Sequence, residues 1–517
     1  MSNDKETMGS VREAFDAATT LLKHGQVTTA EVQLREILKV APDEVNSLRL
    51  LGDLLISHKG DTTEGLSLLE RTVQLAPGFG QGVVSLVRAR LRMQQSSAVV
   101  TLLDELLSTS DQPLVQSSEL WQLYGDALFE TERDEDARIA QQRSIDLDPF
   151  KDAMQRAIRA SMSGHPRETE SVYREILKAN PDHVHALVGL ANIALDRNVS
   201  ADAERLLDHA DEISPNMSPV HRGFARLHMS QSRFPEARAA AERATRLNPE
   251  IADNWTSLGT VLAWGLQQDA AVAAFNRSLA INQKQPRVYL SLGHVLKALG
   301  DQPGSEHAYH QSIDANPTLG EAWWSLADLK TYRFTDTELE EMQQLIGASR
   351  LHERDLSALH FALGKAWEDR REANRSFHHY QEGNRIRHQF ESFNADRFKE
   401  QCTELKRVFS TPMMERRRST NNDTHPVPIF VVGLPRSGST LVDQILSSHS
   451  QVQGTMELPH ILGYVREMQR DADDEGYPGH LMSMSRHDLE MLGARYLDET
   501  AAYHHNAPFF VDKMPNN

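Results

Sequence analysis

Along the middle of this chain proline recurs at a fixed interval: Pro181, Pro215, Pro249 and Pro317 lie 34, 34 and 68 residues apart, with Gln283 at the intermediate place. Ten residues after each place stands a small residue (Ala191, Ala225, Gly259, Gly293, Ala327), preceded by a large apolar one (Leu190, Phe224, Leu258, Leu292, Leu326). Six residues after it come Leu187, His221, Trp255, Tyr289 and Trp323. A second small column runs through Ala203, Ala237, Ala271 and Ser305, and a mostly bulky one through Leu207, Ala241, Phe275 and Tyr309. Columns that keep one register predict stacked helix pairs. Small residues let the two helices cross closely, large ones fill the holes, and proline stops the second helix.

Earlier residues follow the pattern less strictly. Pro42 and Pro77 are 35 apart, and 30–38 and 65–75 read as second helices of a pair. The register slips between Gly78 and Phe150, although Leu120–Leu128 (LWQLYGDAL), Ala137 and Pro149 fit another repeat; Leu363-Gly364, Tyr380 and Gly383 suggest a late one. The scheme resembles the tetratricopeptide repeat, whose period is 34 residues. That resemblance implies an α-helical superhelix over residues 11–385, with an inner face that binds a polypeptide. The family's inward positions fall on Asn192, Arg222, Arg226, Arg287, His294 and Lys297, with Asp253, Glu321 and Asp328 as acids. A groove for an acidic or mixed polypeptide segment is one expectation, and a solvated helix face the other.

Such an array explains how 517 residues can fold without one very large core, since each repeat contacts only its neighbours. Net charge is -18, from 55 Lys+Arg and 73 Asp+Glu, which disfavours a general nucleic-acid binder. One cysteine, Cys402, excludes an intrachain disulfide framework and any multi-cysteine metal site. The polar start (MSNDKETMGS) and the lack of a run of about 18 apolar residues leave no signal peptide or membrane span to expect, so the cytoplasm is the expected compartment. Within this acidic chain, Arg371 to Arg418 holds eleven Lys/Arg against seven Asp/Glu. Residues 386–425 are accordingly read as a basic helical linker, either a solvated surface or an aid in attracting an anion.

Chemistry is concentrated after Pro428. Ile429–Val432 (IFVV) predicts a short buried parallel strand, Gly433-Leu434-Pro435-Arg436-Ser437-Gly438-Ser439-Thr440 a loop, and Leu441–Leu446 (LVDQIL) the resumption of helix. Strand, glycine-bounded loop and helix N-terminus make an anion cradle, in which backbone N–H groups converge and the helix end adds partial positive charge. Ser437, Ser439 and Thr440 add hydroxyls, and Arg436 a planar fork suited to phosphate or sulfonate. Relative to the nucleotide P-loop, Ser439 stands where the lysine belongs, which argues against a triphosphate-using kinase.

The segment 428–446 (PIFVVGLPRSGSTLVDQIL) resembles the 5′-phosphosulfate-binding segment of sulfotransferases that use 3′-phosphoadenosine 5′-phosphosulfate (PAPS). Helical repeats followed by this segment are similar to bacterial tetratricopeptide-repeat sulfotransferases related to the tyrosylprotein sulfotransferases. Val452–Leu458 (VQGTMEL) and Phe509–Asn516 (FFVDKMPN) are similar to two further family segments. The resemblance implies Glu457 as catalytic base, and Lys513 and Arg436 as the cations that steady the transferring group. It implies Pro435, Arg436, Ser437, Gly438, Ser439 and Thr440 as the PAPS cradle, and no metal. The reaction would move a sulfonate from PAPS to an acceptor hydroxyl, with protein tyrosine favoured because a phenol with pKa about 10 is easier to activate than an aliphatic alcohol. Residues 426–517 would then be the N-terminal part of an α/β, P-loop-like sulfotransferase domain. The family's 3′-phosphate-binding half would follow Asn517, so the chain is expected either to be part of a longer protein or to be a fragment that binds the 5′ end poorly and turns over little. A repeat scaffold with an inactive catalytic remnant is the alternative. The pairs His378-His379 and His504-His505 are expected on the surface rather than on a metal.

Overall fold

The structure, a computed structural model, describes residues 2–514 apart from 61, 109–112, 232, 349–350, 391–393, 418–425, 435–436, 456, 472–475 and 504–506. Two compact units divide the chain: Met1–Leu227 with Ala240–Asn254, and His228–Ala239 with Trp255–Asn517.

Helical hairpins fill the first unit and continue through much of the second. Val184–Asp196 pairs with Ser200–Ile213, Pro286–Ala298 with Gln302–Ala315, and Glu353–Asp369 with Ala373–Phe390. The small and bulky columns prove to be two halves of one contact, sixteen residues apart. A Cβ placed on Gly259 would lie 2.7 Å from the Phe275 ring, one on Gly293 2.4 Å from the Tyr309 ring, and one on Gly364 2.7 Å from the Tyr380 ring. Phe275 and Tyr309 are fully buried as a result. Pro181 stands in the turn after the helix Pro166–Ala179, where Asn180 N–H donates to Ile176 O at 2.8 Å and His183 N–H to Asn180 O at 3.2 Å.

A second periodic device closes the hairpins. Gly164, Asn198, Leu266 and Gly300 all have positive φ (73°, 59°, 58° and 81°) and occupy one place in the repeat. After each, an amide reaches back to a carbonyl of the helix just ended: His165 to Ala160, Val199 to Ala194, Gln267 to Leu262 and Asp301 to Leu296, all at 2.9 Å. This is the Schellman closure, which satisfies otherwise orphaned carbonyls. Where the sequence register slips, a short 3₁₀ turn at Pro113–Gln116 separates Ser96–Leu107 from Ser118–Glu130, and paired helices resume. The expected surface pair near 378 divides: His378 is exposed, whereas His379 is half-buried, its Nδ1 3.1 Å from Nδ1 of His360. Burial and the neighbouring rings push the His379 pKa down to about 4.

The C-terminal part of the second unit is α/β. In order it contains β1 (Val427–Phe430), α1 (Ser439–Ser447), β2 (Val452–Gly454), α2 (His460–Asp471), α3 (Arg486–Glu499) and β3 (Phe509–Asp512). Among the described residues these strands form one parallel sheet, ordered β1-β3-β2, with Val427 and Val452 both opposite Phe509. Central β3 is buried at Phe510, Val511 and Asp512 and packs on Leu458, Tyr464 and Tyr496. The expectation of a buried strand at Ile429–Val432 needs correction. The strand is parallel but starts two residues earlier and lies at the sheet edge, where Phe430 is 43% and Val432 57% exposed. Among the described residues it has one neighbouring strand instead of two. Helix α1 buries none of its residues, and Leu441, Val442 and Ile445 remain exposed. The helix Ala395–Val408, within the basic stretch, docks through Val408 on Met413 and Leu481.

Candidate functional site

The turn from β1 into α1 has the backbone of an anion cradle. Gly438 caps α1 with φ 92°, a conformation that L side chains rarely adopt. Ser439 and Thr440 are then the first residues of a helix whose leading amides have no carbonyl partner within the helix. Ser437 N–H donates to Leu434 O at 3.1 Å, and a Cβ on Gly433 would press within 3.1 Å of Ser437 Oγ. Glycine at 433 therefore keeps the loop tight. Pro435 and Arg436 lie outside the described residues.

Across the sheet top, Glu457 follows β2 and Lys513 follows β3. Because β2 and β3 are adjacent and parallel, their C-terminal ends deliver both side chains to one place. Lys513 Nζ donates to Glu457 Oε1 at 2.6 Å; the lysine side chain is 13% exposed and the glutamate 50%. Such a pair in partial contact with water adds at most about 1 kcal/mol to stability, so its importance lies in placement.

Asp512 holds this arrangement together. It is fully buried; Oδ2 accepts from Tyr496 Oη at 2.8 Å and Oδ1 from the Leu458 amide at 3.4 Å. Thr455 clasps the same strand, donating through its amide (3.2 Å) and hydroxyl (2.7 Å) to Val511 O. The phenol of Tyr496 is driven well above its ordinary pKa by burial and by the Asp512 charge. His460, 1% exposed, stacks edge-on against Tyr503 and Tyr496, and burial lowers its pKa. None of these roles is evident in the sequence, where Asp512 is only one letter of FVDKMP and Tyr496 has no diagnostic spacing to it.

Glu457, Lys513 and Thr440 open into one cavity of about 590 Å³, together with Asp443 and Thr455. Residues from the repeat helices, among them Trp264 and His294, line its other side. Ser437, Gly438 and Ser439 stand in the adjoining turn. Among the described residues no cluster of three or more His, Cys, Asp or Glu is arranged to hold a metal ion.

Most of the cations expected to dominate the repeat groove are already engaged. In the first unit Arg226 bonds Asn192 at 3.2 Å and pairs with Asp196, and Arg222 donates to Asn254 at 2.7 Å. In the second, Lys297 pairs with Asp328 at 2.6 Å. A cation already paired with an acid of a neighbouring repeat, as Arg226 with Asp196 and Lys297 with Asp328, attracts an acidic segment less strongly than an unpaired one.

Comparison with known proteins bears on both parts. Residues 428–517 match the sulfotransferase family. Residues 15–78, 154–218 and 222–286 match the tetratricopeptide repeat. An uncharacterized protein of Aquifex aeolicus (strain VF5) is 26% identical over 235 residues, 44% of this chain but 30% of that protein, so this chain spans about a third of that relative's length. Among solved structures, yeast Tom70 aligns over 80% of this chain and 99% of its own at 14% identity, with a TM-score of 0.36. The Cut9 and Hcn1 assembly of the APC/C aligns over 75% and 90% at 11% identity and a TM-score of 0.43. A thermophilic TPR protein of Thermus thermophilus aligns over 32% and 91% at 18% identity and a TM-score of 0.31. The chain thus carries tetratricopeptide repeats and a sulfotransferase-family segment, and no described helix is long and apolar enough to cross a membrane.

Proposed function

We propose that this protein is a PAPS-dependent sulfotransferase that moves a sulfonate to an acceptor hydroxyl, with tyrosine in a polypeptide as the favoured acceptor. The observation that carries this reading is the convergence of Glu457 and Lys513, 2.6 Å apart, beside the N-terminus of α1 in the sulfotransferase-matched segment. The cradle suits the 5′-phosphate end of PAPS: a left-handed glycine, leading amides with no carbonyl partner inside the helix, and hydroxyls at Ser437, Ser439 and Thr440. When bound, PAPS supplies an activated sulfonate, whose S–O bond to the 5′-phosphate breaks as the acceptor oxygen bonds to sulfur.

The chain's own residues position groups and stabilise charge. Glu457 takes the proton of the acceptor hydroxyl. Lys513 neutralises charge on the departing oxygen, and to do so it gives up part of its contact with Glu457. That exchange frees the carboxylate when the donor end of the site is filled. Arg436 is assigned to the departing phosphate from its place in the loop. The repeat array would hold the acceptor polypeptide.

The test is transfer from labelled PAPS to a tyrosine peptide by the full chain and by Lys513→Ala, Glu457→Gln and Arg436→Ala. Each substitution is expected to lower kcat by about 10²–10³-fold. Transfer unchanged in both Lys513→Ala and Glu457→Gln sinks the site assignment. No transfer by the parent chain favours the scaffold reading.

A further inference from the structure

The cavity at Glu457 and Lys513 has a wall that the sulfotransferase-matched segment does not provide. Ala263 and Trp264 end the helix Ala252–Trp264, Leu266 occupies the left-handed turn after it, and Val295 and Ala298 lie on Pro286–Ala298. Two successive repeats thus turn an apolar surface toward a carboxylate and an ammonium group. Trp264 is 61% exposed, which leaves much of a large apolar ring to be covered by whatever enters. An aromatic partner there gains from both burial and ring stacking.

The polar features of the cavity narrow the occupant further. His294 is fixed by a 2.9 Å bond between its Nδ1 and Tyr309 Oη, and burial lowers its pKa, so it contributes a neutral ring. Lys513 is the cation among the described lining residues, and Glu457 already binds it. Asp443 and Glu457 add negative charge. Among the described lining residues, a substrate bearing acidic groups beside its hydroxyl would meet the Asp443 and Glu457 carboxylates, with Lys513 already paired to Glu457.

We infer that the acceptor is an uncharged aromatic hydroxyl whose ring lies against Trp264 and the apolar wall of the two repeats, with its oxygen at Glu457. Trp264 is then a specificity-determining residue contributed by the repeat array. This inference rests on the sulfotransferase reading and narrows it to phenols with neutral surroundings, whether free or as tyrosine in an uncharged peptide. A cavity of about 590 Å³ lies within the range of small-molecule sites and accommodates one ring beside the reacting group.

The experiment compares four acceptors with the full chain and PAPS: 2-naphthol, a tyrosine peptide with neutral flanks, the same peptide flanked by Asp and Glu, and cyclohexylmethanol. The first two are expected to be used best, with kcat/KM about tenfold or more above the acidic peptide. Trp264→Ala should raise KM for 2-naphthol about tenfold with little change in kcat, and Trp264→Phe should recover most of the loss. Calorimetric affinity for adenosine 3′,5′-bisphosphate should be the same in all three proteins. Preference for the acidic peptide or the aliphatic alcohol, or a KM that Trp264→Ala leaves unchanged, overturns the inference. If no acceptor is sulfonated, the sulfotransferase reading falls separately, and titration of 2-naphthol into the chain decides the site. Binding weakened by Trp264→Ala upholds an aryl site; absent or unaffected binding overturns it.

Discussion

The carboxylate of Asp512 accepts from Tyr496 on α3 and from the amide of Leu458 beyond β2, while its backbone carbonyl receives the Val431 amide at 2.9 Å. One residue therefore ties β3 to α3, to the segment that carries Glu457 and to the end of β1. Asp512→Ala would leave a buried hydroxyl and a buried amide without that acceptor, at a cost of about 2–4 kcal/mol. Faster hydrogen exchange at Thr455, Leu458 and Val511 is expected, with transfer activity falling alongside. Asp512→Asn keeps one carbonyl acceptor and should be milder; equal exchange in the parent and Asp512→Ala would contradict this role. Glu457 and Lys513 could be proposed from sequence because each stands in a short segment similar to a family motif. Asp512 stands beside Lys513 in the same segment, yet its tying role could not be proposed, since that role lies in partners 16 and 54 residues away that only the fold brings near. Trp264 was hidden for the same reason: in the sequence it is one more aromatic near a helix end.

At the scale of elements, the hairpins follow from period and residue size, whereas their closure does not. Columns of alanine, glycine and large rings predict close helix pairs because only a missing or minimal side chain admits Phe275 or Tyr309. The left-handed turn residue is less legible, because glycine fills it at 164 and 300 while asparagine and leucine fill it at 198 and 266. The same geometry recurs at Glu132, with φ 61°, where Arg133 N–H reaches Leu128 O at 2.9 Å. Glutamate is strained there and exposed. Glu132→Gly should stabilise the first unit by about 0.5–1 kcal/mol, the relief of strain less the added freedom of the unfolded chain. A thermal midpoint unchanged or lowered would show that the side chain compensates. Conversely, Gly293→Ala forces a methyl group into the Tyr309 ring and should cost about 1–3 kcal/mol, detected as a lower midpoint for the second unit. The β1 strand was misplaced in depth because an apolar run announces burial but not strand order; with β3 central, IFVV is left at an edge.

For the molecule as a whole, a repeat array is expected to gain stability chiefly between neighbours, yet the first unit contains a contact that bypasses them. Asp126, on Ser118–Glu130, is 2% exposed and accepts from Ser214 Oγ at 2.6 Å, while Asn216 Nδ2 donates to the Asp126 carbonyl at 3.3 Å. These partners lie 88 and 90 residues away, beyond the adjacent hairpins. Oδ1 of Asp126 is buried without a hydrogen-bond partner among the described residues. Burial, with Glu130 and Asp211 adding unfavourable charge, pushes its pKa from 3.8 up to about 7. The folded state therefore holds a proton that the unfolded chain releases above pH 3.8. This raised carboxyl costs nothing below that value, and its penalty grows as pH climbs toward 7 and is constant above. Three pKa units correspond to a few kcal/mol, on the order of 4, as an upper bound. Asp126→Asn retains an oxygen for Ser214 and cannot ionise. It should match the parent near pH 4 and exceed it increasingly from pH 5 to 7, with a constant gain at pH 8 in the thermal midpoint of the first unit. A gain independent of pH would trace the effect to packing rather than to charge, and a loss at pH 8 would mean that the ionised carboxylate is what holds residues 214–216 in place.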